Sequence, residues 1–484
     1  MASQLLATKS IDELQAQEAS GNELRRALTA TQLTLLGIGG VIGTGIFVLT
    51  GVAAAQNAGP ALALSFIFAG IGCMFAGLCY AEFAAMIPVS GSAYSYSYAT
   101  LGEGIAWFIG WNLILEYLFA VATVSVGWSG YAVSLLDQLH VHIPDALSHA
   151  PFDQDRITEH MVRTGAIINV PAMLIVAAIA TICYIGIKQS ATFNSWIVTI
   201  KVTVIILFIM FGISFINTAN WHPFVPPNEG HFGEFGWSGV LKAAGVIFFA
   251  YIGFDAISTA AQEAKNPQRD MPIGILASLV ICTILYVIVA TVLTGMVSYK
   301  ELNVAAPVAL ALDKYPGLHW LGIPIKLGAV AGMTSVMLVM TIAQARIFFA
   351  MARDGLLPKF FGKVHPKFRT PSTGTVVTGV TAAIIGGLFP VGVLGHLVSI
   401  GTLAAFVTVC IGVLVLRKTR PDLPRPFRTP LPWFTCLAGA GVCGLMMVSL
   451  GAATWWRLAI WTVLGVAVYV FYGRRHSRLH RAGT

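Results

Sequence analysis

Two short clusters offer the chain's most telling chemistry. The first reads Gly37-Ile38-Gly39-Gly40-Val41-Ile42-Gly43-Thr44-Gly45-Ile46-Phe47, with five glycines in nine residues. Each glycine costs a helix about 1 kcal/mol relative to alanine, so this run predicts a helix that stops and restarts. Gly37, Gly39 and Gly40 also suit close helix packing, but Gly43-Thr44-Gly45 is too dense for packing alone. The second cluster reads Phe248-Phe249-Ala250-Tyr251-Ile252-Gly253-Phe254-Asp255-Ala256-Ile257-Ser258. It sets a glycine and an aspartate together inside an apolar run. A carboxylate there is costly and marks a functional position. Asp255 equally suits the N-cap of a half-helix, and the two roles are compatible. A helix restarting after Gly45 aims free N–H groups and a positive dipole end at the gap, which suits a carboxylate. A helix ending near Phe249 and Ala250 leaves free carbonyls, which suit an ammonium. Together the two ends match an α-amino acid zwitterion.

Lys201 sits in Trp196-Ile197-Val198-Thr199-Ile200-Lys201-Val202-Thr203, mid-way along another apolar run. Burial disfavours a charged ammonium, so such a lysine can exchange a proton. Its alternatives are a permanent ion pair or snorkelling to the interface. Glu116 lies in Leu115-Glu116-Tyr117 and is the candidate partner of Lys201 or of a polar network behind the first helix, as counter-ion or proton relay. Glu263, Lys265 and Arg269 follow the second cluster and are expected to form gate pairs with Arg353 or Asp354. Met333 faces either the side pocket of the site or the packed core and lipid. The seven cysteines all fall inside apolar runs without metal or redox spacing. The histidines at 140, 142, 149 and 160 lack ligand spacing too. No metal and no cofactor is expected.

The elements that position these residues follow from composition. Of 484 residues, 56% are hydrophobic and only 10% charged, with mean hydropathy +0.78. Soluble domains carry about 25% charged residues. A span needs about 20 apolar residues, and runs of that length fall near 31–55, 61–87, 103–139, 167–187, 192–216, 239–262, 273–298, 325–353, 372–390, 395–417, 431–451 and 456–473. The Tyr-rich stretch Ser90-Gly91-Ser92-Ala93-Tyr94-Ser95-Tyr96 reads as a short interfacial helix. Residues 304–315 read as a short outer lid. The first 30 residues are polar and lack the pattern of a secretory signal. About 21 of the 29 Lys and Arg fall on one side of the spans, against about seven on the other, which predicts cytoplasmic termini. Topology therefore explains the +8 net charge, and no nucleic acid is expected.

The chain resembles a bacterial member of the cationic amino acid transporter family, within the amino acid–polyamine–organocation superfamily. The matching stretches are the two clusters, Glu263-Ala264-Lys265-Asn266-Pro267-Gln268-Arg269-Asp270-Met271-Pro272, and Arg346-Ile347-Phe348-Phe349-Ala350-Met351-Ala352-Arg353-Asp354-Gly355. The resemblance implies an all-α polytopic membrane protein with 12 transmembrane helices. It is of the LeuT type, a 5+5 inverted repeat with discontinuous helices 1 and 6 plus two C-terminal helices. The implied parts are an N-terminal segment at 1–30, repeats at 31–216 and 239–417, two added helices at 431–473 and a tail at 474–484. The resemblance implies substrate contacts at Val41, Thr44 and Gly45 with the carboxylate, and at Phe249, Ala250 and Ile252 with the amine. Gly43, Asp255 and Met333 complete the expected site. Proton coupling is assigned to Lys201 and Glu116, and the gate to Glu263, Lys265, Arg269 and Arg353. The implied function is L-amino acid import in symport with protons at the bacterial inner membrane, with amino acid or polyamine exchange as the alternative. One chain is expected as the transport unit, and a small single-helix accessory protein stays open as a partner. An enzyme would need convergent nucleophile–base or metal residues, and a channel a continuous polar stripe. The sequence offers neither.

Overall fold

The computed structural model describes residues 5–9, 28–87, 92–155, 160–186 and 191–479. Among these residues, nine helices are long and apolar enough to cross a membrane, and Ala30–Val41, Val170–Ile185 and Ser372–Leu388 are shorter apolar helices. Gly45–Met86 carries the second half of span one and all of span two, so the helices make twelve spans. The protein is an all-α polytopic membrane protein. An antiparallel pair of three-residue strands, Phe152–Gln154 with Met161–Arg163, is the one sheet among the described residues.

Span one starts as Ala30–Val41 on a reciprocal cap, Thr29 with Gln32. It resumes at Gly45–Leu49 and runs to Ala58. Span two is Leu62–Met86, span three Glu103–Gln138, and span five Ala191–Gly212. Span six is Gly236–Ile247 extended by Phe248–Tyr251, then a break, then Asp255–Glu263. Span seven is Pro267–Met296, span eight His319–Arg353, and span ten Val391–Thr419. Spans eleven and twelve are Pro432–Ser449 and Ala452–Val468, the last drawn out by Tyr469–Gly473.

Span seven packs along spans one and two, and spans eight and ten along span three. The most apolar window of span six is 89% buried inside the protein, against 22% for span twelve. Span six is therefore central and span twelve faces lipid, where an apolar surface needs no protein cover.

One local expectation changes. Residues 90 and 91 of the Tyr-rich stretch lie outside the described residues. Ser92–Thr100 is helical, but Tyr94, Tyr96 and Tyr98 are buried in protein rather than turned to water. The reason is that Asp354 and Glu103 accept the Tyr94 and Tyr98 hydroxyls, so the polar tips find partners inside. The loop between spans seven and eight supplies the helix Pro307–Asp313, seated against Gly51 of span one through Leu302 and Pro307.

Candidate substrate and coupling site

The two interruptions touch. At Ile42 the backbone turns extended (φ −75°, ψ 102°), ending the first half of span one. In span six, Ile252 is extended and Gly253 takes φ +118°, a conformation glycine adopts without a steric cost. A Cβ on Gly253 would stand 2.6 Å from the Gly40 carbonyl oxygen, and one on Gly45 only 2.3 Å from Ala250 Cα. Glycine at both positions is what lets the two backbones meet.

Breaking a helix inside the membrane strands carbonyls that must find donors. Lys201 Nζ donates to Gly39 O at 2.7 Å and Ile42 O at 3.1 Å, from a side chain with no exposed surface. Its stem passes Gly332 of span eight, where a Cβ would approach to 3.2 Å. The Tyr286 hydroxyl of span seven lies 3.0 Å from Val41 O and 2.9 Å from Ala250 O. The one hydroxyl proton thus stands between two carbonyls, one from each break, and can bond fully to only one at a time. Phe249 O accepts from Ile252 N–H at 3.2 Å. Thr44 Oγ1 donates to Met333 Sδ at 3.2 Å, and Gly43 faces Val336. Val41, Gly43, Thr44, Gly45, Phe249, Ala250, Ile252 and Met333 are all buried here.

Asp255 is buried too. Its Oδ1 accepts from Gly253 N–H at 3.2 Å and its Oδ2 from the Tyr117 hydroxyl at 2.6 Å. It opens the second half of span six but turns its carboxylate back across the break. Of the two partners the sequence left open for Glu116, the polar neighbours beside it are Asp255 and Thr402 rather than Lys201. The physical reason is that the Lys201 ammonium is already solvated by the carbonyls of Gly39 and Ile42. Glu116 Oε1 has no hydrogen-bond partner among the described residues.

Sequence reading missed Tyr286 and Tyr117. The available signal was a phenol inside an aliphatic run, since a buried tyrosine hydroxyl needs a partner.

A family model for amino acid permeases matches residues 28–469. The chain belongs to the amino acid permease family. It is 48% identical to the methylthioribose transporter of Bacillus subtilis (strain 168), covering 99% of this chain and 100% of that one. It is 47% identical to the branched-chain amino acid permease BcaP of the same organism, over 98% of each chain. It is 32% identical to cationic amino acid transporter 3, mitochondrial, of Arabidopsis thaliana, over 95% of this chain and 92% of that one. The family and these relatives are transporters, not enzymes.

Contacts cross the bundle on both sides of the breaks. On the side away from the termini, Lys326 Nζ lies 3.0 Å from Asp313 Oδ2 of the helix Pro307–Asp313 and 3.1 Å from Gln138 Oε1 of span three. On the side of the termini, Leu28 exchanges 2.8 Å backbone bonds with Glu263 O and Lys265 N, lacing span one to span six. Asp354 pairs with Lys9 at 2.7 Å, with side chains 5% and 8% exposed, and accepts from Tyr94. That carboxylate is therefore taken by the N-terminal strap rather than by Lys265 or Arg269, because residues 5–9 lie across the ends of spans three and eight on the side of the termini. Arg353 lies 6.0 Å from the Phe349 ring.

Proposed function

We propose that this permease imports L-amino acids in symport with protons by alternating access. One observation carries the reading: carbonyls stranded at both breaks, those of Val41 and Ala250, converge on the Tyr286 hydroxyl. A substrate ammonium has three donors and can take over both carbonyls where one phenol proton cannot. The substrate carboxylate then sits at the N-terminal end of the half-helix restarting at Thr44 and Gly45. Phe249, Ile252, Met333 and Val336 surround the side chain with apolar atoms. That favours neutral aliphatic substrates, in keeping with the name of the branched-chain permease relative. Asp255 is the carboxylate to which a cationic side chain would turn.

Lys201 ties span five to the first break, so gain or loss of its proton changes how firmly that break is held. This supports Lys201 as the coupling group, with Glu116 beside Asp255 as a second carrier or counter-ion. Glu263, Lys265, Arg269 and Arg353 form the inner gate in this reading. The repeats run over 31–216 and 239–417, followed by 431–473 and the tail at 474–484. The N-terminal segment and both termini are cytoplasmic, and the membrane is the bacterial inner membrane.

The 48% identical relative named for methylthioribose favours a second reading, since that neutral sugar has neither ammonium nor carboxylate. Thermal stabilisation of the purified protein by leucine, valine, isoleucine, arginine, lysine and methylthioribose separates the two. A stabilising amino acid supports the site proposed here, and stabilisation by methylthioribose alone rejects it. Labelled uptake into vesicles, with and without an imposed pH gradient, then tests symport. Counterflow that ignores the gradient would identify an exchanger.

A further inference from the structure

A cavity of about 300 Å³ lies between spans three and twelve, toward the side of the termini. No residue of spans one or six lines it, so it is separate from the substrate site. Two of its lining residues, Val466 and Val470, are 53% and 42% exposed, which opens it sideways to lipid. Two glycines hollow it: Gly104 on span three, and Gly465, against which the Trp111 indole packs.

The walls are apolar by construction. Trp107 Nε1 donates to Gly465 O at 3.1 Å, and Trp111 Nε1 to Trp461 O at 2.7 Å. Both indole N–H groups are thereby spent, and the rings offer the cavity only carbon. Arg474 also lines it, and Arg475, His476 and Arg478 follow in the chain. A ligand that fits is narrow and apolar along its length and anionic at one end. A helix, about 10–12 Å across, is too wide to enter. Basic pockets between spans at this depth suit acidic lipid head groups.

We propose that an anionic glycerophospholipid, from the leaflet on the side of the termini, seats an acyl chain in this groove with its phosphate at Arg474. Leu5 also lines the groove, so the lipid braces the strap that Lys9 anchors on Asp354.

The test uses the full-length protein in phosphatidylcholine nanodiscs, with phosphatidylglycerol of the same acyl chains added. Phosphatidylglycerol is expected to raise the melting temperature by several degrees over phosphatidylcholine alone. Arg474→Gln is expected to remove that difference. Val466→Trp, which fills the groove from its exposed side, is expected to abolish lipid retention in native mass spectrometry. Both variants change rim residues, and a monodisperse elution profile verifies their fold. An equal response of the wild type to the two lipids overturns the proposal. So does a preference that survives both variants, or one lost only in Arg475→Gln/Arg478→Gln, which reports general attraction to the basic tail. A second copy or a co-purified peptide occupying the groove also overturns it.

Discussion

At the scale of single residues, the site rests on close approaches with little slack. Gly45→Ala places a methyl against the Ala250 backbone, where no flexible side chain can give way. Overpacking of this kind costs about 1–3 kcal/mol. The expected result is a lower melting temperature and an uptake rate below one tenth of wild type. Tyr286→Phe strands two buried carbonyls, each worth about 1–3 kcal/mol when left without a donor. Its expected signature is destabilisation that saturating substrate relieves, because the ammonium replaces the lost hydroxyl. A melting difference that stays constant as substrate is added would contradict the role given to Tyr286. Lys201→Ala is expected to abolish accumulation driven by a pH gradient, and undiminished gradient-driven uptake would remove Lys201 from the coupling step. The glycines of the breaks were legible in the sequence because their density is intolerable in a plain span. Tyr286 was not, since what it does depends on two carbonyls 245 and 36 residues away. Nor was the true neighbourhood of Glu116, because which face of span three meets span six is set by packing.

At the scale of elements, the helix Pro307–Asp313 shows how an ion pair's worth depends on which partner is removed. Lys326 is buried, with its side chain 3% exposed, whereas Asp313 is 43% exposed. Asp313→Ala leaves a buried ammonium with only Gln138 and Ser134 as acceptors, at a cost of about 1–3 kcal/mol. Lys326→Ala leaves a carboxylate that water can reach, so it gives up the weaker charge-specific share of the pair. Thermal melts are expected to rank the aspartate variant as the less stable of the two, and the reverse order would contradict the account. Twelve apolar runs were readable because hydropathy follows directly from span length. The burial of Tyr94 and Tyr98 was not readable, because their partners, Asp354 and Glu103, meet them only through tertiary structure.

For the whole molecule, ligand binding should act on the entire bundle, because the breaks join spans one, five, six and seven. A substrate present at 100 times its dissociation constant stabilises the folded state by about 2.7 kcal/mol. A titration should therefore move the melting point continuously with the logarithm of concentration. The strap gives a further consequence. Lys9 waits for Asp354, 345 residues later in the chain, and Arg478 N–H bonds the Asp354 carbonyl. At ribosomal rates of 5–20 residues per second, roughly 20–70 s separate synthesis of the two partners. Lys9 therefore takes its seat long after its own synthesis. Nascent chains released short of residue 354 should leave that end of the protein open to protease.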